Sequence, residues 1–249
     1  GLIYLNPRPT DDNYSAMYEA DYRNAISGTE EWLEKRFNQE VRMTDDLILP
    51  FFSKYHQGEI RSILDIGCAQ GGLLSAFGRE FPDAELHGIE PGIKVAEFAG
   101  YHTGADIRVG NLDPGIFTDR FDLITITRSL NHLSDPMKAL QLIRSMLNPG
   151  GSLLINVLDA VSSLIIMEFD RMAEILHPYA FTRETIFALV QRAGFNVIGC
   201  QDTAYDTTKL TKKEMMSPSF RRPQEIQILA QPSVRVEVNP NVEPILNRI

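Results

Sequence analysis

The sequence is poor in cysteine, and its two cysteines, Cys68 and Cys200, stand far apart. This excludes a disulfide framework, argues against a zinc site built from this chain, and is typical of a reducing compartment. Positive charge is also scarce, because 24 Lys and Arg stand against 33 Asp and Glu, a net charge of −9. A protein that neutralises many phosphates usually has the opposite sign, so we expect no binding to nucleic acid or to an anionic membrane.

Long hydrophobic runs and a signal peptide are lacking as well. The longest stretch without a charged residue, 145–158, is interrupted by Pro149 and two glycines, which makes it too short and too broken to span a bilayer. No basic and apolar leader precedes the first helix. We therefore expect a cytoplasmic protein whose 249 residues are enough to bury a sizeable core without staples.

From residue 61 onward, short apolar runs alternate with amphipathic stretches. This alternation is typical of βαβ units and a parallel sheet. We expect an α/β fold: a doubly wound, mostly parallel seven-stranded sheet with helices on both faces and a helical N-terminal extension. Strands are predicted at 63–66, 85–89, 107–109, 121–126, 152–157, 195–200 and 225–230. Helices are predicted at 11–26, 30–55, 71–81, 92–101, 136–147, 161–176 and 182–192.

The predicted organisation has three parts. Residues 1–58 form an extended segment and helices on the substrate side, residues 59–231 form the main domain, and residues 232–249 form a tail. In an open α/β sheet, ligands bind beyond the carboxyl ends of the strands, where the strand order switches. The predicted chemistry therefore lies in the loops that follow the strands.

Two such loops indicate an adenosine-type cofactor. The first strand runs into the glycine-rich segment 65–72, where glycines let the backbone turn sharply and approach a ligand closely. The second strand ends at Glu90, 18 residues beyond Gly72. A carboxylate at that position can accept hydrogen bonds from both hydroxyls of a ribose.

With these features, the chain resembles the class I S-adenosylmethionine-dependent methyltransferases between about residues 61 and 230. Segment 64–72 resembles the family's first motif, Glu90 its ribose-binding acid, and Gly110 to Leu112 the segment that flanks the adenine. Three later segments, 127–136, 147–155 and 181–195, resemble family elements in the same order. The cofactor-binding residues that this resemblance implies are Asp65, Gly67, Cys68, Ala69, Gly71, Glu90, Pro91, Asn111, Leu112 and Arg128.

The resemblance also implies the reaction, in which S-adenosylmethionine donates a methyl group and S-adenosylhomocysteine is the product. The acceptor is expected to be a small or mid-sized molecule such as a sugar or a natural-product intermediate. Three positions depart from the family pattern: Ala69 stands at a usual glycine, Asn111 at a common aspartate, and Asn131 at a frequent glutamate. None of these changes removes cofactor binding on physical grounds.

His132 is the candidate catalytic base, because it follows the fourth predicted strand at the expected crevice. The alternative is that His132 only orders its loop or contacts the cofactor. Tyr22 has two interpretations as well. Either the first helix is a lid and Tyr22 touches the methionine end of the cofactor, or Tyr14, Tyr18 and Tyr22 pack that helix onto the domain.

Residues 1–10 resemble a segment that follows a cysteine-rich zinc module in some sugar and secondary-metabolite methyltransferases. We therefore expect such a module upstream of this chain, and no metal site within it. An NAD(P)-dependent oxidoreductase is the first alternative function, since Gly67, Ala69 and Gly72 loosely match a dinucleotide loop. A non-catalytic S-adenosylmethionine-binding protein is the second. The acceptor atom (oxygen, nitrogen or carbon) and the oligomeric state stay open at this point.

Overall fold

A computed structural model describes residues 3–4, 29–166, 178–203 and 224–233 of the chain. The strands are β1 (Ile3–Tyr4), β2 (Ser62–Ile66), β3 (Glu85–Glu90), β4 (Asp106–Val109), β5 (Phe121–Thr127), β6 (Leu147–Leu158), β7 (Tyr179–Ala180), β8 (Phe195–Asp202) and β9 (Glu225–Pro232). The α-helices are α1 (Glu30–Met43), α2 (Leu49–Tyr55), α3 (Gly72–Glu80), α4 (Ile93–Thr103), α5 (Pro136–Met146), α6 (Ala160–Ile166) and α7 (Arg183–Arg192).

Seven of these strands form one sheet in the order β4-β3-β2-β5-β6-β9-β8. All neighbouring pairs are parallel except those that involve β9, which runs antiparallel to β6 and to β8. Along the chain, β3 and β4 are added on one side of β2, and β5 and β6 are then added on its other side. The strand order therefore switches between β2 and β5. This arrangement confirms the predicted doubly wound, mostly parallel seven-stranded fold and puts the expected crevice above these two strands.

Alternation along the strands gives the sheet two apolar faces, because successive side chains point to opposite sides. Ile124, Leu153 and Ile228 face α5 and α7. Ile63, Leu123, Leu154 and Leu229 face α2 and α3, where Phe51, Phe52, Leu74 and Phe77 complete the second cluster. Helices therefore cover both faces, as the sequence pattern predicts.

The predicted helical segment 30–55 consists of α1, a π-helical turn (Thr44–Ile48) and α2. Thr29 caps α1, since its side-chain oxygen accepts a 3.3 Å hydrogen bond from the Trp32 amide. Thr182 caps α7, as predicted, and forms a capping box with Thr185. These caps fix where each helix begins.

Two features differ from the sequence expectation. Strand β6 begins at Leu147 rather than near Ser152, because Leu147 pairs with Phe121 across a register shift. Strands β1 and β7 form a separate antiparallel pair that the hydrophobic pattern does not indicate. The predicted helix 11–26 and residues 167–176 of the predicted helix 161–176 lie outside the described residues. In the part of the chain that the structure describes, no helix has the length and apolar character needed to cross a membrane.

Candidate functional site

The loop between β2 and α3 turns through three left-handed backbone positions. Gly67, Ala69 and Gly71 have φ angles of +73°, +47° and +81°. Glycine adopts these values without steric cost, whereas Ala69 does so against the usual preference of an L-residue. The amides of Gly67 and Cys68 donate to the Ile89 carbonyl at 2.8 and 3.0 Å, which fastens the loop to the end of β3.

The same loop lies against the loop that follows β5. A Cβ atom on Gly67 would lie 2.4 Å from Oγ of Ser129, so only glycine allows this approach. Arg128 precedes Ser129 and also has a left-handed backbone, with φ +54°. The two loops therefore meet above β2 and β5, at the predicted switch in strand order.

Glu90 ends β3 and holds the glycine-rich loop from the side. Its Oε2 accepts a 3.1 Å hydrogen bond from the Ala69 amide, and its Oε1 accepts a 2.8 Å bond from the Gly92 amide. The residue is 1% exposed, and this burial raises the pKa of its carboxyl group to about 7. A carboxylate has about four acceptor positions, so the two amides leave capacity for ribose hydroxyls.

Asn111, Leu112 and Pro91 lie beside Glu90. The Gly110 amide donates to the Glu90 carbonyl at 3.2 Å, which brings the exposed Asn111 next to the end of β3. Leu112 packs against the main core cluster. Ile93, which the sequence analysis did not single out, is a half-exposed apolar side chain at the first turn of α4. An exposed apolar residue three positions after the ribose acid is the feature that could have identified it.

Asp65 lies beneath the loop and is 1% exposed. Its Oδ1 accepts a 2.7 Å hydrogen bond from the Thr125 hydroxyl, while its Oδ2 is buried and has no hydrogen-bond partner among the described residues. Burial raises the pKa of this carboxyl to about 7. The carboxylate is therefore a buried group with spare hydrogen-bonding capacity directly under the loop.

Cys68 is fully buried, and its sulfur fills the space beside Gly88, where an added Cβ would lie 2.7 Å from Sγ. Burial, together with nearby carboxylates, raises the pKa of the thiol well above its usual range. The side chain is thus a packing residue that stays protonated at neutral pH. Its backbone is what it can offer a ligand at this loop.

Glu40, on α1, is a site residue that the sequence analysis missed. Its Oε2 accepts a 2.9 Å hydrogen bond from the amide of Gly72, the first residue of α3. Glu40 keeps some surface in contact with solvent, but desolvation of its carboxyl group, together with repulsion from Asp65, raises its pKa to about 8. Nothing in the local pattern distinguishes Glu40 from the solvent-facing charges of an amphipathic helix.

The loop after β5 contributes His132, Asn131 and Arg128. His132 ends a 3₁₀ turn (Leu130–His132) and is partly exposed. The neighbouring Asn131 is buried, and its Oδ1 forms no hydrogen bond with any described residue. The Arg128 guanidinium donates to one carboxylate oxygen of Glu225 on β9. The other oxygen accepts a 2.7 Å hydrogen bond from Nδ2 of the Asn156 side chain. The structure thus places the side chain of Arg128 on the β6–β9 side of the crevice.

Beyond the crevice, the sheet face toward α2 and α3 changes from apolar to polar at the end of the sheet that holds the carboxyl ends of the parallel strands and the amino end of β9. Asn156 and Gln227 are opposite each other in the β6–β9 register, and both are fully buried. Gln227 Oε1 accepts a 2.7 Å bond from Gln201, whereas in the part of the chain that the structure describes Gln227 Nε2 and Asn156 Oδ1 have no hydrogen-bond partner. The polar row on this face comprises Asp65, Thr125, Thr127, Asn156, Gln201, Glu225 and Gln227.

Tyr22, which we predicted at the methionine end of the cofactor, lies outside the described residues. Within the described ranges, no group of three His, Cys, Asp or Glu side chains is arranged so that it could hold a metal ion. Two open surface cavities, of about 610 and 690 Å³, lie at the opposite end of the sheet. Ala84–His87 line one and Leu147–Gly150 the other, so neither cavity includes the loops above.

Comparison with known proteins identifies similarity over most of the chain. A family described as "Methyltransferase domain" matches residues 32–199. An uncharacterized methyltransferase of Schizosaccharomyces pombe is 26% identical over 171 residues, which cover 64% of this chain and 56% of that protein. A ubiquinone biosynthesis O-methyltransferase of Marinobacter nauticus is 32% identical over 106 residues, 39% of this chain and 43% of that protein. The chain spans about half the length of these curated relatives.

Solved structures share the fold. A chain from the complex of the Haloferax volcanii Trm112 methyltransferase activator with a methyltransferase aligns with a TM-score of 0.64 at 15% identity. This alignment covers 84% of the present chain and 99% of that one. The plantazolicin methyltransferase BamL, in complex with a triazolic desmethylPZN analogue and S-adenosylhomocysteine, aligns with a TM-score of 0.58 at 17% identity, over 90% of the present chain and 99% of that one. At such identities the likeness shows the fold alone.

Proposed function

Because the chain belongs to the methyltransferase domain family, we propose that it transfers a methyl group from S-adenosylmethionine to a small polar acceptor. The observation that carries this proposal is the hydrogen bond from the Ala69 amide to Glu90, which joins the glycine-rich loop to the acid at the next strand end. The two elements that can bind an adenosine and its ribose form one unit at the switch point of the sheet.

The residues present fit this cofactor. Glu90 would hold the ribose, and Ile93 with Leu112 offers apolar surface for an adenine, with the Asn111 amide at its edge. The backbone of Gly67 to Gly71 and the carboxylate of Asp65 would hold the amino-acid end. When bound there, S-adenosylmethionine supplies a methyl group on a positively charged sulfur.

The chain's own contribution is positioning, exclusion of water and proton handling. Holding the acceptor atom in line with the methyl group lowers the entropic barrier of a bimolecular step. For a hydroxyl acceptor, we propose that the His132 imidazole takes the proton that the acceptor loses as its oxygen bonds to carbon. An amine acceptor would not need this base, because its free lone pair is already nucleophilic.

The polar row supports a polar acceptor. Asn156 Oδ1 and Gln227 Nε2 are buried amide groups without a partner among the described residues, and such groups are costly unless a ligand or water bonds to them. These groups are neutral, and the nearby Glu225 is compensated by Arg128. A hydroxyl-rich molecule such as a sugar or a polar natural product matches this surface better than an alkyl chain does.

The arrangement at α3 disfavours the dinucleotide alternative. In dinucleotide-binding folds the pyrophosphate accepts hydrogen bonds from amides at this helix N-terminus. Here the Gly72 amide already donates to Glu40, so it is not free to donate to a pyrophosphate. The non-catalytic alternative shares the same cofactor residues, so only turnover separates it from the enzyme.

Methyl transfer from radiolabelled S-adenosylmethionine to a panel of glycosides, catechols and amines tests the proposal. We expect labelled product with a hydroxyl-bearing acceptor, and a lower kcat in His132→Asn with unchanged S-adenosylhomocysteine affinity. His102→Asn, on α4, is the matched control and should keep full activity. Binding of S-adenosylhomocysteine without transfer to any class on the panel would favour the non-catalytic alternative.

A further inference from the structure

Helix α1 lies directly across the first residue of α3. A Cβ atom on Gly72 would lie 2.6 Å from Cβ of Glu40 and 2.8 Å from the Phe37 carbonyl oxygen. Because the contact is this close and involves the backbone of α1, the packing of the helix holds the Cβ of Glu40 against the loop. The 2.9 Å bond from the Gly72 amide keeps the Glu40 carboxylate at the edge of the cofactor loop.

Glu40 is one of three carboxylates that surround this loop, with Asp65 below it and Glu90 at its side. In the described part of the chain, no salt bridge joins any of the three to a basic side chain. Two cations act on Glu40 from a distance, Arg36 on its own helix and Arg128 after β5. Asp65 opposes its ionisation, and Glu40 in turn opposes ionisation of the Cys68 thiol.

Desolvation by burial, with repulsion from Asp65 as a lesser cause for Glu40 and Glu90, raises the pKa of Glu40 to about 8 and those of Asp65 and Glu90 to about 7. Near neutral pH the cluster therefore retains protons, since burial disfavours the ionised carboxylates. An independent observation points to a ligand of positive charge: Asp65 Oδ2 is buried, and none of the described residues forms a hydrogen bond with it. A bound ammonium or sulfonium would offset the charge of this cluster.

We infer that Glu40 makes the cofactor site selective for positive charge at the sulfur of its ligand. The site then favours S-adenosylmethionine over the product S-adenosylhomocysteine, whose thioether sulfur is uncharged. This inference rests on the proposed function. The two nucleosides differ by one methyl group and one unit of charge at sulfur, so contacts to ribose and adenine do not discriminate between them. An ionised Glu40 attracts only the sulfonium form strongly. Product release is then favoured by the loss of that charge, and donor binding is coupled to release of a proton.

Isothermal titration calorimetry of S-adenosylmethionine and S-adenosylhomocysteine against the wild type and Glu40→Gln tests this role. Glu34→Gln, an exposed position on the same helix, is the matched control. A unit charge a few ångströms away, at an effective dielectric constant of ~20, can change affinity by about tenfold or more. We expect the ratio of the two dissociation constants to move about tenfold toward equality in Glu40→Gln and not to move in Glu34→Gln.

A second readout is the number of protons released. Titrations in phosphate and in Tris, whose ionisation enthalpies differ, should show that the wild type releases more protons with S-adenosylmethionine than with S-adenosylhomocysteine. Glu40→Gln should lose most of that difference. A merely structural role for Glu40 would not produce this change, because it would alter both affinities alike.

The pH dependence of the wild type provides a test that needs no variant. As pH rises from 6.5 to 9 and Glu40 ionises, the preference for S-adenosylmethionine should grow. Equal weakening of both ligands in Glu40→Gln, or a preference that is independent of pH in the wild type, would overturn the inference and leave the proposed function standing. Failure of the wild type to bind either nucleoside would overturn the proposed function and this inference together.

Discussion

The Ala69 amide donates a 3.1 Å hydrogen bond to Glu90 Oε2, although the two residues lie 21 positions apart in the sequence. Ala69 reaches this position only with a left-handed backbone, φ +47°. The bond closes the ends of β2 and β3 onto each other, so the loop and the acid hold each other in place. The two residues therefore present their polar groups side by side to a ligand.

Replacement of Glu90 by Ala should weaken S-adenosylhomocysteine binding by about 1–3 kcal/mol, because hydrogen bonds to a charged partner are lost. Glu85→Ala, at the exposed start of the same strand, is the control and should leave affinity unchanged. Calorimetric titration measures both effects. An unaltered dissociation constant in Glu90→Ala would remove Glu90 from the cofactor site.

Gly67→Ala should abolish cofactor binding, since its Cβ would lie 2.4 Å from Oγ of Ser129. Gly104→Ala provides a matched control, because Gly104 has nearly the same backbone, φ +70°, but no atom within 4 Å of the added Cβ. Both variants carry the left-handed penalty of about 1–2 kcal/mol. Ligand binding and thermal unfolding, measured for both variants, separate the backbone penalty that they share from the Ser129 contact that only Gly67→Ala makes. Equal losses of affinity and stability in the two variants would contradict the close approach of the loops.

Stability without ligand should fall as pH rises from about 5 to 8. Burial raises the pKa of Glu40 to about 8 and those of Asp65 and Glu90 to about 7, whereas these groups ionise near pH 4 in an unfolded chain. In this window the folded protein holds protons that the unfolded chain has lost. The free energy of unfolding therefore decreases with pH.

Urea denaturation at fixed ionic strength measures this slope. Glu40→Gln should have a shallower slope than the wild type, because one of the three titrating groups is removed. A free energy of unfolding that is constant or increases between pH 5 and 8 would show that these carboxyls are not held protonated by the fold.

Arg128→Met should destabilise the protein by several degrees in melting temperature. It leaves the fully buried Glu225 without its cation, and breaking a buried pair costs about 3–5 kcal/mol, reduced here because Arg128 is a third exposed. Arg79→Met, in the solvent-exposed pair with Asp45, should cost no more than about 1 kcal/mol. Equal losses in the two variants would contradict the burial of Glu225. An accompanying loss of cofactor affinity in Arg128→Met would support the role predicted for Arg128 from the sequence.

The sequence predicts the parts of the site that are local in the chain. The loop from Gly67 to Gly71 and the position of Glu90 follow from residue types and spacing, because a strand, its turn and the next helix are consecutive. Glu40 is different: it lies 32 residues from the Gly72 amide that it binds. Only the packing of α1 on α3 brings them together, and no local pattern encodes that packing.

The polar row shows the same limit. Asn156 and Gln227 are each a single polar residue within an apolar strand, so neither residue by itself indicates a site. Their pairing depends on the insertion of β9 beside β6, which is a property of strand order. The sequence predicts the individual strands to within a few residues. Which side chains share a face of the sheet depends on the order of the strands.

Calorimetric titration of the chain with S-adenosylhomocysteine, with NADH and NADPH in parallel, identifies the cofactor that this site binds. We expect binding of the nucleoside in the micromolar range and no heat from either dinucleotide, because Glu40 already accepts a hydrogen bond from the Gly72 amide at the N-terminus of α3. Binding of a dinucleotide in place of S-adenosylhomocysteine would contradict this expectation.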